Sequence, residues 1–198
     1  MSSLQTFIFM GRSGCGKGTQ GKLLETALRA SDSEHDILYL ESGDIFRNFI
    51  KGNNYSQKLS REVYESGALQ PEFLAVWAWA SLLVDNMGGK EHLILDGVPR
   101  KLREAHVLDS AFTFYKREKI NIVYINVSRE WSKERLMARG RVDDNHDDVE
   151  VRLNWFDVDV MPALNYFKEN PEYVFHDING EQTIEQVHAE VLKSLELN

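Results

Sequence analysis

Apolar residues along this chain come in two rhythms. Short, nearly unbroken runs at Phe7–Met10, Ile37–Leu40, His92–Leu95, Ile120–Asn126 and Tyr173–His176 read as strands buried on both faces. Between them apolar positions recur every three or four residues. That spacing predicts helices near Lys17–Ala30, Asp44–Gly52, Ser56–Ser66, Glu72–Asn86, Lys101–Lys116, Arg129–Arg139, Asp147–Glu169 and Glu181–Leu197. Strands alternating with helices predict βαβ units, hence an α/β fold with a parallel sheet and helices on both faces. Right-handed crossovers then gather the strand C-termini, and any ligand, along one edge. Two intervals break the rhythm: 44–86 carries three consecutive helices with no strand, and 139–147 is a polar turn rich in Arg and Asp. Insertions over a ligand edge are the usual place for moving lids.

The first strand runs straight into GRSGCGKGTQ, Gly11 to Gln20. A glycine-rich turn that opens a helix presents unpaired N–H groups and the positive end of the helix dipole, and glycines let the backbone wrap a phosphate. Lys17 adds a full charge where the outer phosphates of a triphosphate would lie. The spacing departs from the common form in one respect: Gly18 follows Lys17, and the hydroxyl arrives one residue later, at Thr19. The alternative, an ordinary strand–helix turn, does not need four glycines and a lysine within eight residues.

Composition narrows the field. At 198 residues, 42% hydrophobic and 27% charged, the chain reads as one globular domain with a substantial core. Its apolar runs fall well short of the ~20 residues that cross a bilayer. The opening MSSLQTFIFM lacks a basic leader region, and one cysteine cannot form an internal disulfide; both fit a cytoplasmic protein. A net charge of −8 argues against nucleic acid or anionic membrane as partner, so a basic site in this chain needs an explanation.

Basic residues do collect at strand ends. Leu93-Ile94-Leu95 leads into Asp96-Gly97-Val98-Pro99-Arg100. A carboxylate leaving a buried strand suits a Mg²⁺-bound water, and the Arg100 fork suits phosphate. Further on, Arg135, Arg139 and Arg141 lie beside Asp143 and Asp144, with Arg152 on the next helix. A charge run alone is usually a solvated face. Beside a phosphate loop it fits phosphoryl transfer, which needs aligned oxygens and neutralised charge in a dry site. No Ser/His/Asp triad or Cys/His metal cluster is visible, and the six histidines read as surface or turn residues.

Together these segments resemble the adenylate kinase family over nearly the whole chain. GRSGCGKGTQ is similar to its GxxGxGKGTQ, and Glu41–Arg47 to its STGDLLR. Gly67–Pro71 is similar to G-x-L-V-P, Asp96–Arg100 to DG(F/Y)PR, and Arg141–Asn145 to RVDDN. The resemblance implies a P-loop NTPase fold with a five-stranded parallel sheet. It divides the chain into a core (1–43, 73–138, 146–198), a helical monophosphate-binding insert (44–72) and a very short lid (139–145). It also implies a Mg²⁺-dependent, monomeric phosphotransferase for ATP and a nucleoside monophosphate, AMP first, transferring directly and with no phosphoenzyme. In that family pattern Gly14, Cys15, Gly16, Lys17, Gly18 and Thr19 would hold the ATP phosphates, with Arg135 on the adenine and Asp96 on the metal through water. Arg47 and Arg100 would bind the acceptor phosphate; Arg139, Arg141 and Arg152 would clamp the transferring group; Asp143 and Asp144 would orient the lid. Ser42, Leu69, Gln70, Gly97 and Glu104 would face the acceptor base.

The departures from the pattern are specific. The lid is too short for the zinc-bearing insert of some relatives and lacks its cysteines. Glu104 stands where adenylate kinases carry Gln, and Gln70 where Val is usual. A carboxylate only accepts hydrogen bonds. It can take the adenine amino proton but meets the bare ring nitrogen with a lone pair, and it suits guanine or the cytosine amino group. Gln70 could supply the missing donor; alternatively Glu104 points to solvent and backbone reads the base. GMP or CMP/UMP kinases on the same scaffold, and a non-catalytic nucleotide sensor, therefore stay open. Cys15 is either a small tolerated residue or, near Lys17, a thiol of lowered pKa. Trp77 and Trp79, two apart on a helix, cannot point the same way.

Overall fold

A computed structural model of the protein describes residues 4–139 and 146–197, the side chains of 146–148 excepted. The expected lid residues Arg141, Asp143 and Asp144 lie outside the described residues. The elements in chain order are β1 Thr6–Met10, α1 Lys17–Ser31, β2 Asp36–Glu41, α2 Ser42–Phe49, α3 Tyr55–Glu65, α4 Glu72–Asn86, β3 Glu91–Asp96 and α5 Leu102–Phe114. They continue with β4 Ile120–Asn126, α6 Arg129–Arg139, α7 His146–Trp155, a π-helical segment Phe156–Val160, α8 Met161–Glu169, β5 Tyr173–Asn179 and α9 Ile184–Ser194. The five strands form one parallel sheet in the order β2-β3-β1-β4-β5. β1 lies between β3 and β4, so the chain reverses direction of travel across the sheet there, and the crevice at its C-terminal end is where a ligand fits.

Alternation along the strands splits the interior into two cores. Ile8, Leu93, Leu95 and Ile122 face one side and pack under α4, α5 and α8 through Leu83, Leu108 and Phe167. Phe7, Phe9, Ile94 and Val123 face the other and pack under α1 and α9 through Leu24, Leu28, Val187 and Val191. On α4, Trp79 is buried in the first core while Trp77 is half exposed, its ring 5.3 Å from that of Phe49. Among the described residues no helix is long and apolar enough to cross a membrane.

Several expectations need correction. The stretch 147–169 is not one helix: it passes through the π-helical turn before α8. Pro162, in the first turn of α8, has no N–H to continue the ladder and crowds the carbonyl four residues back, which the wider turn relieves. The final helix begins at Ile184, because Thr183 and Gln186 form a capping box that stops it extending back to Glu181. The histidines are not all at the surface. His92 is 1% exposed: its Nδ1 accepts from the Gln5 N–H at 3.0 Å, and its Nε2 lies 3.2 Å from Asp32 Oδ2, which also sits 2.9 Å from His35 Nδ1. A ring whose Nδ1 accepts from backbone must carry its proton on Nε2, so His92 is a hydrogen-bonding strut in this arrangement, not a metal ligand. His176 is also buried, between Ser194 and Asn121. Nearby, Arg117 is buried and donates to Thr6 Oγ1, the Glu91 carbonyl and the Gln5 carbonyl. His92 and Arg117 together tie β1 to β3 at the sheet end opposite the phosphate loop.

Candidate active site

The loop between β1 and α1 is shaped by close approaches that only glycine permits. Gly14 has φ +85°, and a Cβ there would stand 2.9 Å from Leu136 Cγ and 3.0 Å from the Ser132 carbonyl of α6. The Ser132 hydroxyl donates to the Ser13 carbonyl, fastening α6 to the loop. Gly18 lies in the first turn of α1, where a Cβ would come 3.2 Å from Asp96 Oδ2. The unusual second glycine of Gly-Lys-Gly thus lets the helix start lie against the end of β3. Gly16 is the N-cap of α1, Thr19 is exposed in its first turn, and Lys17 Nζ donates to the Gly11 and Arg12 carbonyls, each at 3.0 Å. Cys15 departs from the lowered-pKa reading: burial pushes its thiol up, and Lys17 offsets this only in part.

Asp96 ends β3 in register with Glu41 of β2 and Phe9 of β1. Burial raises its carboxyl, Lys17 opposes that, and the Glu41 charge adds to it. The Tyr39 hydroxyl donates to Asp96 Oδ2 at 3.4 Å. Asp96 and Thr19 both line the cleft described next, and their side chains offer hard oxygens, the kind of ligand Mg²⁺ takes.

Arginines from separate elements line a cleft of about 960 Å³ that begins at the phosphate loop. Arg100 is held by its own turn: Nε donates to the Gly97 carbonyl at 3.2 Å, a second N–H donates to Ser42 Oγ at 3.1 Å, and the guanidinium lies 5.4 Å from the Trp155 ring centre. Arg152 of α7 is buried in the same wall, because Val149 and Leu153 on that helix pack against Leu136 of α6. Arg135 and Arg139 face the cleft from α6, with Arg135 stacked 4.5 Å from the Trp131 ring centre. Arg47 also faces the cleft, and its guanidinium is engaged by Glu41 at 2.6 Å and Asp44 at 3.0 Å.

A side slot opens from the cleft between α2, α4 and α5, lined by Ser42, Leu69, Gln70, Trp79, Gly97 and Glu104. Every residue expected at the acceptor base is therefore in one place. Glu104 does not point to solvent; it is 3% exposed. Its Oε2 accepts from the Arg100 N–H at 3.2 Å, and burial holds its carboxyl above the usual range despite Arg100 and Lys101. Gln70 is committed to α3: it accepts from Ser60 Oγ and donates to the Ser60 carbonyl, both at 2.9 Å, which leaves one amide hydrogen for the slot. Tyr39, Trp155 and Arg12 also line or brace the site, with no motif to mark them in the sequence. Arg12 pairs with Asp157 of the π-helical segment at 2.7 Å and lies 4.4 Å from the Phe156 ring centre, linking the loop to the α7–α8 junction. The helix-breaking Pro162 was the one local sign of that junction.

Comparison with known proteins agrees with this geometry. The family model described as "Adenylate kinase" matches residues 9–172. The chain is 29% identical to an adenylate kinase of Flavobacterium psychrophilum, with 95% of this chain and 98% of the relative covered. It is 28% identical to that of Rickettsia bellii, with 96% and 99% covered. It is also 28% identical to that of a Synechococcus species, with 95% and 97% covered.

Proposed function

Since this chain belongs to the adenylate kinase family, we infer that it phosphorylates a nucleoside monophosphate from ATP, with AMP as the acceptor: ATP + AMP ⇌ 2 ADP. The observation that carries this reading is the continuity of one cleft from Lys17, past Arg100 and Arg152, to the base slot at Glu104. A triphosphate on the loop and a monophosphate on the opposite wall then bring their phosphates together between the arginines.

In this reading the acceptor phosphate, held by Arg47 and Arg100, attacks the γ-phosphorus in line. The bond to the β–γ bridging oxygen breaks, and the leaving ADP carries away the electron pair. Arg139, Arg141 and Arg152 neutralise the equatorial oxygens, and Lys17 steadies the leaving side. Mg²⁺ would be held through Asp96 and the Thr19 hydroxyl together with the substrate phosphates, and would supply charge neutralisation there. Residues 44–72 act as the acceptor-binding insert and 139–145 as the lid; their closure excludes water as a competing acceptor. One chain carries every residue assigned here, so a monomer suffices.

Initial rates of ADP formation with AMP, CMP, UMP, dCMP and GMP at fixed Mg-ATP test the assignment. AMP should give the highest kcat/KM, with two ADP formed per AMP consumed. The buried Glu104 carboxyl favours GMP or CMP as the second reading, and preference for either would replace AMP. ATP binding with no ADP from any monophosphate would make the chain a sensor instead.

A further inference from the structure

We propose that Glu104 reads the acceptor base as a neutral carboxylic acid, so that binding AMP draws one proton into the site. The inference rests on the kinase reading above and concerns how its acceptor slot tells bases apart.

The geometry leaves little choice of state. The Glu104 side chain is enclosed in the first turn of α5, and its Oε2 is engaged by the Arg100 N–H. Its Oε1 has no hydrogen-bond partner among the described residues and belongs to the slot lining. An adenine edge offers an amino donor next to a bare ring nitrogen. An ionised carboxylate satisfies the first and repels the second, and an unpaired lone-pair contact in a dry slot is costly. The acid resolves the mismatch: Oε1–H donates to the ring nitrogen, and Oε2 keeps the Arg100 bond while accepting from the amino group.

The surroundings bear on this proton from every side. Arg100 and Lys101, from the β3–α5 turn, favour the carboxylate, while Glu72 of α4 and burial oppose it. Ser42 of α2 and Gln70 of the α3–α4 segment contribute only neutral dipoles, and the Ser60 bonds that fix Gln70 leave it one amide hydrogen. An incoming adenine adds another lone pair against the charge. Guanine carries a ring N–H where adenine has a lone pair, beside an amino donor, so GMP meets the ionised form and needs no proton. CMP, with the same amino and bare-nitrogen pair as AMP, needs one.

The test is titration calorimetry of AMP and GMP into the full-length protein and into Glu104→Gln, at pH 7.5 in buffers of different ionisation enthalpy. Wild type should take up close to one proton more on binding AMP than Glu104→Gln does, with no such difference for GMP. Above the titration of the free side chain, the wild-type Kd for AMP should rise by about tenfold per pH unit relative to the glutamine variant. That ratio cancels the titration of the substrate's own phosphate. Equal proton uptake by the two proteins, both binding AMP, overturns the proposal, as does a wild type that binds GMP but not AMP at every pH. Failure of both proteins to bind any monophosphate is a different result and removes the kinase reading itself.

Discussion

Replacing Arg100 by alanine puts the acceptor half of the site to its hardest test. The guanidinium is pre-positioned: its Nε and one further N–H are spent on the Gly97 carbonyl and Ser42 Oγ. The remaining donors have no hydrogen-bond partner among the described residues and can meet phosphate in the cleft. Two charged hydrogen bonds at ~1.5–3 kcal/mol each, discounted for water that enters the emptied space, give a loss of roughly 3–4 kcal/mol. That is about 10²–10³ in kcat/KM for AMP. Lysine at the position keeps a point charge but not the fork, and should lose about 10–30-fold. Folding should suffer less, by ~1 kcal/mol, because the Ser42 hydroxyl still donates to the Gly97 carbonyl at 2.8 Å. The assay is coupled ADP formation with AMP and ATP varied separately, beside thermal melting of each variant. A folded Arg100→Ala protein within threefold of wild type in kcat/KM for AMP would refute the reasoning. So would a loss that falls equally on ATP affinity.

Other expectations are narrower. Lys17→Met should lower kcat/KM by at least about 10²; turnover like that of wild type would end the loop's assigned role. Leu136 is fully buried with Val149 and Leu153 under the phosphate loop, so Leu136→Ala should cost ~2–5 kcal/mol in urea unfolding, and a cost below about 1 would show that α6 and α7 do not depend on that contact. Burial holds His92 below its ordinary pKa, with Asp32 offsetting only part. The unfolded chain therefore binds more protons than the native one between the folded value and about 6.5, and stability rises with pH through that window. Wild type should lose more stability than His92→Gln as pH falls from about 7 to 5, while carboxyls common to both cancel; parallel curves would contradict the shift.

What could be read from the chain was what motifs encode locally. The phosphate loop, the Asp96–Arg100 turn and the strand–helix alternation each rest on neighbours in sequence, and each takes its expected place in the fold. Contacts between distant segments left no such trace. Arg12 meets Asp157 across 145 residues, and Arg117 meets Gln5 across 112. Both arginines look like ordinary surface charges until the fold encloses them. For Glu104 the sequence points to the slot it lines but not to its burial, since a helix start shows which residues it carries and not which face another helix covers. The burial of His92 is hidden from the sequence for the same reason. An imidazole in a strand becomes a strut only where the end of α1 delivers Asp32 to it. Thr183 and Gln186 are the exception, a capping signal legible in the sequence that marks where the last helix starts.

The polar ties at the far end of the sheet have a mechanical consequence. Arg117 and His92 anchor the first residues of β1 and the start of β3, so those strands are clamped at one end. The other end meets the glycine-rich loop and the Gly97 turn, where no side-chain hydrogen bond among the described residues ties β1 to β3, and the Tyr39 hydroxyl reaches Asp96 from β2 at 3.4 Å. Such a sheet behaves as a cantilever, with its stiff root among buried charges and its free tip beneath the phosphates. Fluctuations of the backbone then concentrate where two nucleotides must enter and leave, and amides near Gln5 and Thr6 become its slowest to exchange with solvent.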